Sequence, residues 1–287
     1  MKNQKTNRTA VNLRQNIPRA LILFFLIIAS VFTLFPIYIS LLNSFKSKGD
    51  LLNNMLSFPS RIEFANYINA FKKTGYLNCL YNNFTVVAVG LTGIVLFSSM
   101  AGYKICRTKT KWSSFIFGLF VSSILIPFYS IMISLYKIVM KLGLDDSLPG
   151  LGTIYIGLGV SMAIFLYHGF VKSISQELEE SARIDGCGEF RTFFRIVFPL
   201  LSPITFTIII LNALWMWNDF LLPLLVLSDF EKYTILISIT ILFGEYGNNE
   251  WTEILATLIM AMLPAIIFYF LLQKYIVKGI AEGAIKG

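Results

Sequence analysis

Six long apolar runs restrict what this chain can fold into more than any other feature. They cover 20–42, 82–103, 114–136, 150–171, 200–224 and 254–273, and each holds 20 to 25 residues. A helix of about 20 residues, rising about 1.5 Å per residue, crosses the roughly 30 Å hydrocarbon core of a bilayer. Among the 40 charged residues in a chain of 287, only Asp219 falls inside a run. The remaining 39 occupy the other 152 positions, about 26%, which is the charge density of an ordinary soluble surface. The low overall charge of 14% and the mean hydropathy of +0.69 are therefore averages over two different materials.

The runs are continuous rather than alternating with period two, which excludes a transmembrane barrel. Helices are the other spanning solution, because every backbone N–H and C=O must find its partner inside the segment. The expected fold class is an all-α polytopic membrane protein with six transmembrane helices. The first run exceeds a 7–15-residue signal core and is followed by Asn43, Ser44, Phe45 and Lys46, not by a small-residue cleavage site. It reads as a permanent first helix.

Lys and Arg set the expected orientation. Segments 1–19, 104–113, 172–199 and 274–287 together carry sixteen, against eight in 43–81, 137–149 and 225–253. Both termini are thus expected in the cytoplasm, with Lys46, Lys48, Arg61, Lys72 and Lys73 opposing the rule. The net charge of +8 then describes orientation rather than a nucleic-acid partner, since the basic residues flank the runs instead of forming one patch. Tyr38, Tyr103, Tyr167, Trp112 and Trp251 stand near run ends, as interfacial aromatics do.

Catalytic and metal chemistry has little material. Cys79 lies on the external side and Cys106 and Cys187 on the cytoplasmic side, so no external pair can form a disulfide. His168 is the single histidine and reads as an interfacial residue. No catalytic residue, metal site or cofactor is expected. A phosphate-binding loop of the form GxxxxGK[ST] is absent from the sequence, so the chain cannot hydrolyse nucleotide by that route, and uphill transport would draw on an ion gradient or a separate ATPase.

Segment 172–199 is more structured than a loop requires. Ser173 and Gln176 have the spacing of a capping box, and Glu177, Glu179 and Glu180 fall in early turns that favour anions. Ile174, Leu178 and Ala182 form a narrow apolar stripe, and Gly186 supplies a stop. A second amphipathic helix is expected from Phe190, Phe193, Phe194 and Val197 at i, i+3, i+4 and i+7, with Pro199 at the handover to the fifth run. A helix–turn–helix here has the character of a docking element.

These residues resemble the signature loop of ABC importer permeases: Glu-Ala-Ala, three residues, Gly, nine residues, then Ile-x-Leu-Pro. The chain has Glu180-Ser181-Ala182, Arg183-Ile184-Asp185, Gly186, nine residues from Cys187 to Arg195, then Ile196-Val197-Phe198-Pro199. Ser181 and Phe198 depart from the pattern, and the spacing is kept. Residues 20–287 are similar to the carbohydrate branch, like the smaller membrane subunit of the maltose system. The features shared there are Asn83, Ala101-Gly102-Tyr103, Trp217-Asn218-Asp219-Phe220, Pro223-Leu224 and the tail Gly283-Ala284-Ile285-Lys286-Gly287.

The resemblance implies a type I importer: two homologous permease subunits, an ATPase dimer beneath, and an extracytoplasmic binding protein delivering a sugar. It implies ATPase coupling through Glu180, Ser181, Ala182, Asp185, Gly186, Ile196 and Pro199, and a second ATPase contact at Lys286 and Gly287. By the same resemblance, segment 225–253, with a net charge of −4, approaches the binding protein; otherwise it is a solvated connector. Trp217, Asn218 and Asp219 are candidates for the substrate pathway, although Asp219 stands close enough to the external surface for an acid to cost little. An importer of a polyol or sugar phosphate and an ion-coupled carrier are the alternatives.

Overall fold

A computed structural model describes residues 3–244 and 249–284, with side chains for 21–244 and 249–271. Among the described residues every regular element is helical. Among these described residues four helices are long and apolar enough to cross a membrane, or up to six if each of two bent pairs forms one span. The chain divides into two units, residues 1–70 with 244–259, and residues 71–243 with 260–287.

The first unit contains α1 (Asn3–Ser44), α2 (Lys48–Asn53) and the start of α3 (Ala65–Lys73). Leu21 to Tyr38 of α1 are exposed throughout, an apolar surface suited to lipid or to another membrane helix. Below them the chain closes on itself through polar groups. The ammonium of Lys46 is buried and donates to the carbonyls of Asn54 at 2.8 Å and Met55 at 3.2 Å. Asn66 Nδ2 donates to the carbonyls of Ser44 and Lys46, and the Ser44 hydroxyl lies 2.7 Å from that of Tyr67.

The second unit is built on α4 (Tyr76–Arg107) packed along its length against α7 (Leu148–Val171). With no hydrophobic driving force in lipid, such a pair depends on close approach of small residues. A Cβ at Gly102 would meet Tyr167 Cβ at 2.8 Å and the His168 backbone nitrogen at 3.1 Å, and one at Gly152 would meet Val89 at 2.6 Å. Tyr167 donates to Thr205 Oγ1 at 3.0 Å, tying α7 to α11 (Ser202–Trp217).

Between α4 and α7 the expected third run, 114–136, is two helices and not one. They are α5 (Lys111–Ile124) and α6 (Phe128–Leu142), crossing at 106°. Pro127 has no N–H to continue the ladder and disfavours helical geometry at the residue before it. The fifth run is broken as well. The chain approaches it through α8 (Glu177–Ile184), α9 (Glu189–Thr192), a π-helical turn at Phe193–Val197 and α10 (Phe198–Leu200), then bends by 74° at the start of the run into α11. Pro199 and Pro203 flank that bend and remove two donors. Beyond α11, which ends at Trp217, come α12 (Leu221–Val226) and α13 (Ile235–Ser238); α14 (Trp251–Ala284) begins in the first unit and continues in the second.

At the end of this unit opposite Arg107, loops are clasped by side chains. Asp146, at φ +46°, accepts from the backbone of Ser228 and Asp229 and from Lys232 Nζ at 2.8 Å. Asn82 Nδ2 donates to the carbonyls of Glu231 and Tyr233, and Asn83 Oδ1 accepts from Ile235 N. Ile235, Ile237, Ile239 and Leu242 are buried, so 230–242 is a folded part of the unit and more than a solvated connector.

Candidate coupling site

The docking element begins later than its spacing suggests. The Ser173 hydroxyl donates to the Phe170 carbonyl at 2.8 Å, closing the last turn of α7, so the expected capping box with Gln176 is not formed. Ser175 Oγ accepts from Glu177 N instead, and α8 starts there. Its end is as expected. Gly186 is left-handed at φ +78°, Cys187 N donates to the Ala182 carbonyl and Gly186 N to the Arg183 carbonyl. This pair of bonds is a Schellman closure, which glycine adopts without the penalty other residues meet.

Which face α8 turns inward is decided by a residue that pattern reasoning left among the dipole-favoured acids. Glu179 is 3% exposed. Its Oε1 accepts from Arg107 Nε at 2.8 Å and lies 2.7 Å from Arg107 Nη2; its Oε2 accepts from the Tyr103 hydroxyl at 2.7 Å. Arg107 Nη2 also donates to the Ile174 carbonyl at 2.9 Å. Both carboxylate oxygens and the Nε and Nη2 groups of the guanidinium thus have partners, the condition on which a buried ion pair persists. Ile174 and Ala182 are buried beside it, whereas Leu178, expected on the same stripe, is exposed.

Tyr103 serves both arms. Its ring packs on Phe193 at a centroid distance of 5.2 Å, and Phe193 in turn contacts Phe194 and Phe198. Phe193 and Val197 are buried while Phe190 and Phe194 are exposed, because the π turn shifts the register that a regular helix would have kept. Lys104 meets Glu189 at 3.0 Å on the surface, where the lysine holds the carboxyl below its usual range. The outward face carries Glu180, Ser181, Asp185 and Gly186, all exposed, with Ile184 at 86% and Phe190 at 72%. Ala182 is buried, Ile196 half-buried and Pro199 exposed, so the signature residues divide between the anchored and the open face.

With this geometry in view, residues 93–282 match the family described as binding-protein-dependent transport system inner membrane component. The chain belongs to that family. The permease is 38% identical over 273 residues to a probable starch degradation products transport system permease protein, AmyC, of Thermoanaerobacterium thermosulfurigenes, covering 94% of this chain and 98% of the relative. It is 36% identical to the melibiose/raffinose/stachyose import permease MelC of Bacillus subtilis, covering 88% and 91%. In fold it matches a chain from the crystal structure of a bacterial ABC transporter involved in the import of the acidic polysaccharide alginate, with a TM-score of 0.79, 21% identity and coverage of 91% and 96%. The permease is thus a multi-pass membrane protein with the type I importer fold, and the matched region contains both Tyr103 and Glu179.

Trp217, Asn218 and Asp219 are adjacent in sequence but do not converge on one site. The Trp217 indole donates to the Ala261 carbonyl at 3.1 Å and lines an apolar cavity of about 670 Å³ with Phe84, Leu91 and Leu263. Asn218 is exposed and bonds back to the Leu214 carbonyl. Asp219 accepts from the Tyr155 hydroxyl at 2.8 Å and from the backbone of Leu221 and Leu222, opening α12. Lys286 and Gly287 lie outside the described residues. Among the described residues no group of three His, Cys, Asp or Glu is placed to hold a metal ion. His168 stacks on Phe117 at 3.9 Å.

Proposed function

We propose that this permease is one of two membrane subunits of an ATP-driven, binding-protein-dependent importer of a sugar or oligosaccharide, and that Glu180–Pro199 couples it to a separate ATPase. The observation that carries this is the division of α8 into two faces. One is fixed to α4 by Arg107 and Tyr103, and the other presents Glu180, Ser181, Asp185 and Ile184 to an absent partner. A partner that closes on ATP moves this face, and the buried pair transfers the movement to α4. The lysine and arginine asymmetry supports a cytoplasmic position for both termini and this element, with the Asp146–Lys232 clasp on the side of the binding protein. The sugar assignment rests on relatives named for starch products, for melibiose, raffinose and stachyose, and for arabinooligosaccharides.

The test is ATP-driven uptake of labelled oligosaccharides by proteoliposomes holding the permease pair, the ATPases and the cognate binding protein. Replacing Gly186 by valine puts a β-branched residue at φ +78°, a strain of about 1–3 kcal/mol in a turn with open space around it. Membrane insertion is expected to stay normal while ATPase retention and uptake fall together. Full uptake by Gly186→Val refutes the coupling role. Uptake of no oligosaccharide by the intact wild-type complex refutes the substrate class.

A further inference from the structure

Where α4 hands over to α5, beside the end of α7, the chain leaves an open cleft of about 560 Å³. Its walls include Thr108, Lys109, Thr110, Lys111, Ser114 and His168. Lys109 and Lys111 are exposed, and among the described residues neither has an anionic partner. Lys172, one turn beyond His168, is a third such cation. The carboxylate of Glu179, at the same end of the bundle, is held by Arg107 and Tyr103 and has no capacity to neutralise them.

Two further features narrow what the cleft suits. Thr110 Oγ1 accepts from Ser113 N at 3.2 Å, which leaves the first N–H groups of α5, at Lys111 and Trp112, without an acceptor inside the helix. Unpaired lysines beside such a helix start favour an anion. The neighbouring surface is apolar: Trp112, Phe115 and Leu119 of α5 are more than half exposed, and an indole at the start of an apolar helix suits a headgroup interface. An inorganic anion would use only the basic rim. An amphiphile would use the rim and the face.

We propose that this cleft binds the phosphodiester headgroup of an anionic membrane phospholipid, with Lys109 and Lys111 on the phosphate and the acyl chains along α5. The site requires this end of the bundle to lie at a membrane surface and does not depend on which leaflet that is. Basic pockets at the ends of membrane helices are suited to such headgroups.

The experiment is a titration of the assembled transporter in detergent, with retained lipid counted by native mass spectrometry. Palmitoyl-oleoyl phosphatidylglycerol is added to wild type, to K109Q/K111Q and to K109R/K111R, with palmitoyl-oleoyl phosphatidylcholine and inorganic phosphate as separate arms. Both lysines are exposed, so the variants are expected to fold and assemble. Each lysine near an anionic headgroup contributes about fivefold in affinity, so K109Q/K111Q loses about 25-fold while K109R/K111R retains phosphatidylglycerol like wild type. Phosphatidylcholine is retained equally weakly by all three. Equal retention of phosphatidylglycerol by wild type and K109Q/K111Q overturns the proposal. So does competition by millimolar phosphate that abolishes lipid retention, which marks a free-anion site. Loss of the ATPase from K109Q/K111Q with lipid retention unchanged overturns it too, and makes the lysines a protein contact.

Discussion

Replacing Arg107 by methionine tests the anchoring of α8 most directly. The substitution keeps the aliphatic volume at the end of α4 and removes the cation. Glu179, 3% exposed, is left with the Tyr103 hydroxyl as its remaining side-chain donor. Breaking a buried pair by removing one partner costs about 3–5 kcal/mol, because the surviving charge is neither solvated nor compensated. If that energy is released when α8 lifts from α4, the opening equilibrium shifts by about a hundredfold to several thousandfold. Amide hydrogen exchange across 177–186 reads this equilibrium, and protection there is expected to fall by that factor while α7 keeps its own. Lys104→Ala is the control. The Lys104–Glu189 pair is exposed on both sides and contributes at most about 1 kcal/mol, so exchange should accelerate by less than about fivefold. Equal exchange in Arg107→Met and Lys104→Ala would show that the buried pair does not anchor the helix.

Three further expectations follow from the same geometry. Asp146 is held down to about 2, mainly by its hydrogen bond from Lys232 and then by the Asp229 and Ser228 amides. Its contribution to the loop clasp is therefore full above the ordinary carboxyl value near 3.8 and is lost as pH falls towards 2; Asp146→Asn should flatten the acid limb of a thermal-stability profile. Gly102→Ala should lower the melting temperature of the purified complex, since the new methyl meets backbone at 3.1 Å and overpacking costs about 1–3 kcal/mol; an unchanged melting temperature would mean that α4 and α7 are not so close. Trp217→Phe removes the bond to the Ala261 carbonyl and should cost about 0.5–1.5 kcal/mol in stability, with uptake specificity unaltered if the indole only packs α14.

The membrane class was legible because charge-free length is a property of composition along the chain, independent of packing. The breaks were less so. Pro127 stands at a bend of 106°, yet Pro36 and Pro264 lie inside continuous helices, so a proline alone does not decide where a span stops. Neighbouring elements decide it, and they are not written locally. The Gly186 stop was legible because a left-handed turn is a local demand. The capping box at Ser173 failed because the end of α7 claims the hydroxyl, and that depends on how far α7 runs. Glu179 was the largest omission. Its partners stand 72 and 76 positions earlier, and only the α4–α7 packing brings them together. The available signal was an acid one residue after Leu178 and three before Ala182, on the edge of the apolar stripe.

Motion at the open face of α8 has two routes into the bundle, and they differ in stiffness. The covalent route runs through α9, the π turn and α10 to α11, and crosses a bend of 74° between Pro199 and Pro203 where the helical ladder is interrupted. Interrupted ladders are where helices kink, so part of any displacement is absorbed there. The second route is side-chain only, from Glu179 to Arg107 and Tyr103 on α4. It is short and buried, with both Glu179 oxygens hydrogen-bonded, and it delivers directly to the helix that packs most extensively in this unit. Tyr103 belongs to both, since its hydroxyl holds α8 and its ring holds Phe193. Tyr103→Phe should therefore loosen α8 alone, whereas Tyr103→Ala should release both arms. The two variants are expected to separate in exchange at 189–198, where the phenylalanine variant keeps wild-type protection. Identical exchange there would mean that the ring does not hold the second arm.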